Sequence, residues 1–289
     1  MTTGNFRNDS KYYRDTGIVL RSYKLGEADR IIVFLTEEHG KVRAVAKGIR
    51  KTRSKFGGRL EPLSHVALQL HRGRDLDVIS QVETVSTTSS VFGDLDCMTE
   101  ASAILEAVDQ LVPDREPVPH VYRMLVGARQ TLLTRPSPVV VPAFLWRLLT
   151  VEGLRPELTR CVSCSENCGE SLEETPRSFD RISGGQYKDF GSLVFDVDLG
   201  GILCRSCQLG NDDGPVDVRR SWRPISDEAR ALMRDLLEGR LGEVLDRSYD
   251  PNGQHVDDPV VHEVLTLATR AFEHHVERRL RSVTIFEHR

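Results

Sequence analysis

The amino-acid sequence predicts an α+β protein of several domains: a small five-stranded barrel, then an α-helical domain with an inserted cysteine-rich module. Three observations support this fold class. Five short segments with strand patterns lie within residues 16–85, with no helical pattern between them. After Ser86, apolar residues recur at intervals of three and four, as in helices that face a core. Four of the six cysteines then form two Cys-x-x-Cys pairs between two sets of helices.

The predicted strands are residues 16–23, 29–36, 41–48, 64–73 and 77–85. Most of them alternate apolar and polar residues, and the third alternates small apolar side chains with lysine and arginine. The connections have hairpin length, except for one long basic loop after the third strand. A five-stranded barrel with a basic strand and loop is typical of an OB-fold, which is therefore the predicted N-terminal domain at residues 1–85. The pattern alone also fits an SH3-like barrel.

The predicted helices are residues 97–112, 118–133, 139–154, 226–239 and 257–280. Ser226 is expected to cap the fourth helix, because acidic residues follow it in the first turn. Residues 155–215 lose the helical period and contain most of the cysteines. We therefore predict a helical domain in two parts, residues 86–157 and 216–289, which flank a zinc-binding module at residues 158–215.

The most basic stretch of the chain runs from Lys41 to Leu60 and is called the basic segment below. It contains eight basic residues and no acidic residue, whereas the rest of the chain holds 31 basic and 43 acidic residues. The basic residues are Lys41, Arg43, Lys47, Arg50, Lys51, Arg53, Lys55 and Arg59. Because surfaces usually mix charges of both signs, this concentration predicts a surface that binds a polyanion. A solvated basic loop is the alternative.

The two cysteine pairs are Cys161 with Cys164, and Cys204 with Cys207. Each Cys-x-x-Cys turn presents two thiolates, and two such turns together complete the tetrahedral shell of a structural zinc ion. A redox pair and four unligated thiols are the alternatives. Cys168 stands four residues after Cys164, which is also a zinc-ligand spacing, so it is an alternative member of the ligand set.

Motifs for catalysis are absent from the sequence. It contains no GxxxxGK[ST] phosphate loop, no HExxH and no GxSxG, and its acidic pairs lie in predicted turns or at helix starts. The N-terminal residues lack the apolar region of a signal peptide, and no apolar run is long enough for a membrane span. We therefore expect a cytoplasmic protein that is not an enzyme.

Four stretches of the sequence resemble the RecO family of bacterial recombination mediators. They are Thr16–Leu20, Leu25–Arg30, the KVRAVAKGIRK run with Leu60-Glu61-Pro62, and Gly200–Cys207. The likeness covers most of the chain and is most specific in its first 85 residues.

This resemblance implies an OB-fold that binds single- and double-stranded DNA, a helical body and a structural zinc ion. It also implies annealing of complementary strands and, with RecR, the loading of RecA onto DNA coated with single-strand-binding protein. The helical domain would receive the acidic C-terminal tail of that protein, and the location would be nucleoid-associated. Arg21 and the eight basic residues of the basic segment become the predicted DNA contacts. The other hypotheses are a zinc-ribbon module that binds RNA or protein, and a metal-dependent nuclease.

Overall fold

The computed structural model describes residues 11–51, 54, 56–86, 95–168, 193–210, 221–249 and 258–283. The chain forms two compact units: Met1–Pro136 with Leu280–Arg289, and Ser137–Arg279. Within the described ranges, no helix combines the length and apolar character that crossing a bilayer requires.

The first unit contains a closed five-stranded barrel. Its strands are β1 (Tyr12–Leu25), β2 (Asp29–Thr36), β3 (Gly40–Ala46), β4 (His65–His71) and β5 (Asp77–Ser86). They are hydrogen-bonded in the order β1-β2-β3-β5-β4, with β3 and β5 parallel and the other pairs antiparallel. The predicted OB-like barrel is thereby confirmed. The first strand begins four residues earlier than predicted, because Tyr12 already pairs with His71.

The barrel interior follows the alternation of the strands. Phe34, Val42 and Leu70 are fully buried in one cluster with residues of the other strands. Burying each such side chain contributes roughly 1.5–3 kcal/mol. Phe56 and Leu60, from the second half of the basic segment, join the same cluster; Phe56 precedes a short 3₁₀ turn and Leu60 is its last residue. The loop that the polar sequence predicted is therefore anchored in the core at its far end.

Two helices complete the first unit: α1 (Leu95–Leu111) and α2 (Pro119–Thr134). Arg129 of α2 is almost fully buried, and it donates to the carbonyl oxygens of Leu63 at 2.8 Å and Ser86 at 3.0 Å. These two helices belong to the same compact unit as the barrel, so the units divide the chain differently from the predicted boundary at residue 85. The buried bonds between α2 and the barrel explain this difference.

In the described residues of the second unit, five helices combine with a small sheet. The helices are α3 (Val140–Val151), α4 (Arg205–Gly210), α5 (Asp227–Leu237), α6 (Leu241–Arg247) and α7 (Pro259–Val276). The strands β6 (Val194–Asp196), β7 (Gly201–Leu203) and β8 (Trp222–Pro224) form the sheet in the order β7-β6-β8. Ser226 caps α5 as predicted, since its hydroxyl accepts from the amide of Ala229 at 3.1 Å.

Candidate nucleic-acid interface and metal centre

Three of the predicted DNA contacts lie against the C-terminal end of α1. The Nζ of Lys41 donates to the carbonyl oxygen of Asp109 at 2.7 Å and lies 3.5 Å from a carboxylate oxygen of Asp114. Arg21 pairs with Asp109 at 2.7 Å, and Arg43 pairs with Asp114 at 2.9 Å. These five side chains are called the ion cluster below.

The ion cluster corrects one expectation about the third strand. Lys41 points away from the barrel core, as its alternation predicted, but it is only 8% exposed. The end of α1 covers this part of the strand, so the outer face of the barrel is not solvated there. The carboxylates of Asp109 and Asp114 offset two of the three positive charges of Lys41, Arg21 and Arg43, which weakens the positive field on this face.

The later part of the basic segment is exposed. Lys47, Arg50, Lys51 and Arg59 all lie on the surface, and the first three are called the loop cations below. Arg50 donates to the carbonyl oxygen of Glu27 at 2.9 Å, and within the described part of the chain no carboxylate pairs with a loop cation. Arg53 and Lys55 lie outside the described residues. The basic segment therefore places its exposed positive charge after β3.

The turn between β4 and β5 carries basic residues that the sequence reasoning missed. Arg72 and Arg74 are exposed, and the guanidinium carbon of Arg72 lies 5.3 Å from the ring centre of Tyr13. This loop of an OB-fold commonly contacts its ligand, which is the signal that could have identified them. The turn extends the basic surface beyond the basic segment.

A buried carboxylate fixes this end of the barrel. Asp77 is fully buried and accepts from the hydroxyl of Tyr13 at 2.5 Å, from Arg115 at 2.9 Å and from the amide of Gly73 at 3.0 Å. Burial alone would raise the pKa of Asp77, but the bonds from Arg115, Tyr13 and Gly73 outweigh it and hold the pKa below its usual range. Burial and the bond to Asp77 raise the pKa of Tyr13, so its hydroxyl stays a donor.

The second unit brings the four predicted cysteines together. The sulfur atoms of Cys161, Cys164, Cys204 and Cys207 all lie within 4.8 Å of one another. Those of Cys164 and Cys204 are 3.7 Å apart, close to the edge of about 3.8 Å that a tetrahedral site with Zn–S bonds near 2.3 Å requires. The geometry therefore fits a metal ion with four thiolate ligands.

The electrostatics of the cysteine cluster also favour a cation. Burial tends to raise the pKa of Cys161, but the amides of Cys164, Cys204 and Ser163, which donate to its sulfur, bring the pKa down to about 6. Burial and the neighbouring thiols raise the pKa of Cys204 to about 12. A bound dication would stabilise the deprotonated form of all four sulfur atoms and remove the repulsion between them.

Cys168 lies near the cluster but is not one of its four members. Its amide donates to the carbonyl oxygen of Thr159 at 2.8 Å, and its own carbonyl oxygen accepts from Arg230 at 2.5 Å. Burial and the charge of the nearby thiols raise the pKa of its thiol. Of the two ligand sets that the sequence allowed, the one without Cys168 has the compact geometry.

Comparison with known proteins gives concordant matches along the chain. The family model described as Recombination protein O N terminal matches residues 11–88, and the one described as Recombination protein O C terminal matches residues 93–284. A curated relative from Cutibacterium acnes, named DNA repair protein RecO, is 37% identical over 283 residues, which is 95% of this chain and 98% of the relative. A relative of the same name from Bifidobacterium adolescentis is 34% identical over 280 residues, 95% of this chain and 99% of its own length.

Proposed function

Because this chain belongs to the RecO family of DNA repair proteins, we propose that it is a non-enzymatic recombination mediator. It binds single- and double-stranded DNA, anneals complementary strands and, together with RecR, helps RecA to load onto DNA coated with single-strand-binding protein. The acidic tail of that protein docks on the helical domain of residues 86–157 and 216–289. The DNA binds to the barrel.

The observation that supports DNA binding is the exposure of Lys47, Arg50 and Lys51 on the barrel surface, where no carboxylate of the described residues pairs with them. Lys41 and its two arginine neighbours are paired with Asp109 and Asp114, so the exposed cations after β3 provide the main phosphate contacts. Phosphate contacts of this kind are independent of base sequence and release condensed counterions. The affinity for DNA therefore falls steeply as salt rises.

Annealing follows from the same charge. Two complementary strands repel each other through their phosphates, and cations that neutralise both strands at once lower this repulsion. Base pairing then supplies the free energy of the product, so no nucleotide hydrolysis is needed. The absence of a phosphate loop from the sequence agrees with this mechanism.

The metal ion of this proposal is zinc, held by Cys161, Cys164, Cys204 and Cys207. Thiolates are soft ligands that suit zinc, and four of them leave no open position for a reactive water. When bound, the ion supplies folding free energy to the module that β6 and β7 form. The backbone amides that donate to the Cys161 sulfur orient this ligand.

The test is the salt dependence of binding to a single-stranded oligonucleotide. Changing Lys47, Arg50 and Lys51 together to Ala removes three phosphate contacts, so the slope of log K against log salt becomes shallower by about 2, at about 0.7 for each contact. At about 0.1 M salt this corresponds to a loss of roughly 100-fold in affinity.

The matched control changes three other exposed arginines to Ala, with the same loss of charge. They are Arg123, Arg147 and Arg278. We expect the control to bind DNA like the wild type, with the same slope. A loop variant that keeps the wild-type slope overturns the assignment. Displacement of DNA by RNA or by an acidic peptide at equal concentrations would favour the alternative, a module that binds RNA or protein.

A further inference from the structure

A partly exposed aromatic pair lies where β1 begins and β4 ends. Tyr12 and His71 are register partners on these strands, and their ring centres are 4.9 Å apart at an interplanar angle of 77°. Tyr12 remains 53% exposed. The β2–β3 face, which OB-folds commonly use for nucleic acids, is in part covered here by the ion cluster. The aromatic pair lies on other strands, outside the basic segment.

Cations surround the aromatic pair. Lys11, Arg72 and Arg74 are exposed next to it in sequence, and the amide of Arg72 donates to the carbonyl oxygen of Lys11 at 2.7 Å. Between residues 71 and 77, Asp75 is the one exposed acid, because Asp77 is buried and paired. Aromatic rings among exposed cations are the combination that binds single-stranded nucleic acids.

The strands that present the pair are held rigidly. Tyr13 follows Tyr12 directly, and its hydroxyl is fixed by the buried carboxylate of Asp77. Asp77 in turn binds Arg115 and the amide of Gly73, which shapes the turn after His71. A site held in place before binding loses less conformational entropy when the ligand arrives.

We propose that Tyr12 stacks on an unpaired base of single-stranded DNA, with His71 packed nearly perpendicular to the Tyr12 ring, while Lys11, Arg72 and Arg74 contact the flanking phosphates. This inference rests on the proposed DNA binding and adds recognition of the base itself. The bases of a duplex are stacked on one another, so the annealed product loses this contact. The site therefore favours the substrate strand over the product and promotes release after annealing.

The surface next to the aromatic pair limits the length of DNA strand that the site can bind. The same outer face continues from Tyr12 to a groove of about 430 Å³ between β1, β4 and β5. A cross-strand row of Arg14, Gln69 and Gln81 lines its near part. Its far part is acidic, with Glu37, Glu38 and Glu83, and repels phosphates. The site therefore holds only a short stretch of the strand.

The experiment compares an oligothymidylate with an abasic strand of equal length and charge. We expect the wild type to bind the oligothymidylate about tenfold more tightly, since stacking contributes roughly this much for one base. Tyr12→Ala loses this preference and keeps the affinity for the abasic strand, whereas Tyr12→Phe retains the preference. Tyr23→Ala is the matched control, because Tyr23 is an exposed tyrosine at the other end of β1 that lies under Arg21.

Each result decides between the two proposals. Equal binding of the two strands by the wild type overturns the stacking site and leaves the salt-dependent DNA binding intact. Failure to bind either strand overturns both. A preference that survives in Tyr12→Ala, or that disappears in Tyr23→Ala, shows that bases stack elsewhere and also overturns the site. The comparison of oligothymidylate with the abasic strand uses the wild type alone, so it tests the site even if a variant does not fold.

Discussion

The ion cluster predicts that Asp109→Asn destabilises the first unit without weakening DNA binding. The side chains of Asp109 and Lys41 are 7% and 9% exposed, and their charged groups lie 3.6 Å apart. Asparagine keeps the shape of the side chain but removes its charge. Lys41 then remains buried next to Asp114 alone, which is half exposed and 3.5 Å away.

The size of the effect follows from the burial of the pair. Removing one partner of a buried ion pair costs roughly 3–5 kcal/mol, because the other charge is left without compensation. Asp114 retains part of the compensation, so we expect about 3 kcal/mol. In a unit of this size each kcal/mol lowers Tm by about 2–4 °C, so the unfolding transition should move down by roughly 6–12 °C.

Calorimetry on the full chain measures this shift, with Lys41→Met and the double variant as controls. The double variant buries no unpaired lysine charge and should recover most of the stability that Asp109→Asn loses, which a double-mutant cycle quantifies. A loss below about 1 kcal/mol in Asp109→Asn would refute the reasoning. The reasoning would also be refuted if Lys41→Met made the slope of log K against log salt for DNA binding shallower by about 0.7. Lys41 would then contact a phosphate.

Two further predictions concern the metal centre and pH. Cys204→Ser should lose bound zinc and unfold at a lower temperature, whereas Cys168→Ser should keep one zinc ion per chain. Metal analysis after dialysis distinguishes the two variants. Equal loss of zinc in both would contradict the set of four ligands. Burial and the charge of Arg129 lower the pKa of His65, whose imidazole lies 3.0 Å from the hydroxyl of Tyr122. The unfolded chain therefore binds an extra proton as pH falls below about 6.5, so the free energy of unfolding should decrease there, and His65→Gln should remove that decrease in denaturant titrations.

Much of the fold was predictable because local patterns decide it. The continuous apolar run of residues 29–36 and the alternation in residues 64–73 predicted strands whose buried residues fill the barrel, and the helical stripe after Ser86 predicted α1. The spacing of the cysteines gave the four sulfur atoms that the structure brings together. In each case the signal lies within a few neighbouring residues.

The surroundings of Lys41 were not predictable in this way. Alternation correctly placed its side chain on the outer face of β3, but its partner Asp109 lies 68 residues further along the chain. Only the packing of α1 on the barrel decides that this outer face is covered. The pairing of Tyr12 with His71 likewise depends on strand register across the barrel, which no local pattern reveals.

The most direct test of the proposed function is annealing of two complementary oligonucleotides without ATP. Wild type is compared with the variant in which Lys47, Arg50 and Lys51 are Ala, and with the control that has the same loss of charge elsewhere. We expect wild type and control to accelerate annealing equally, and the loop variant to be slower by about tenfold or more at about 0.1 M salt. Equal rates for the loop variant and wild type, or no acceleration by the wild type, would contradict the account.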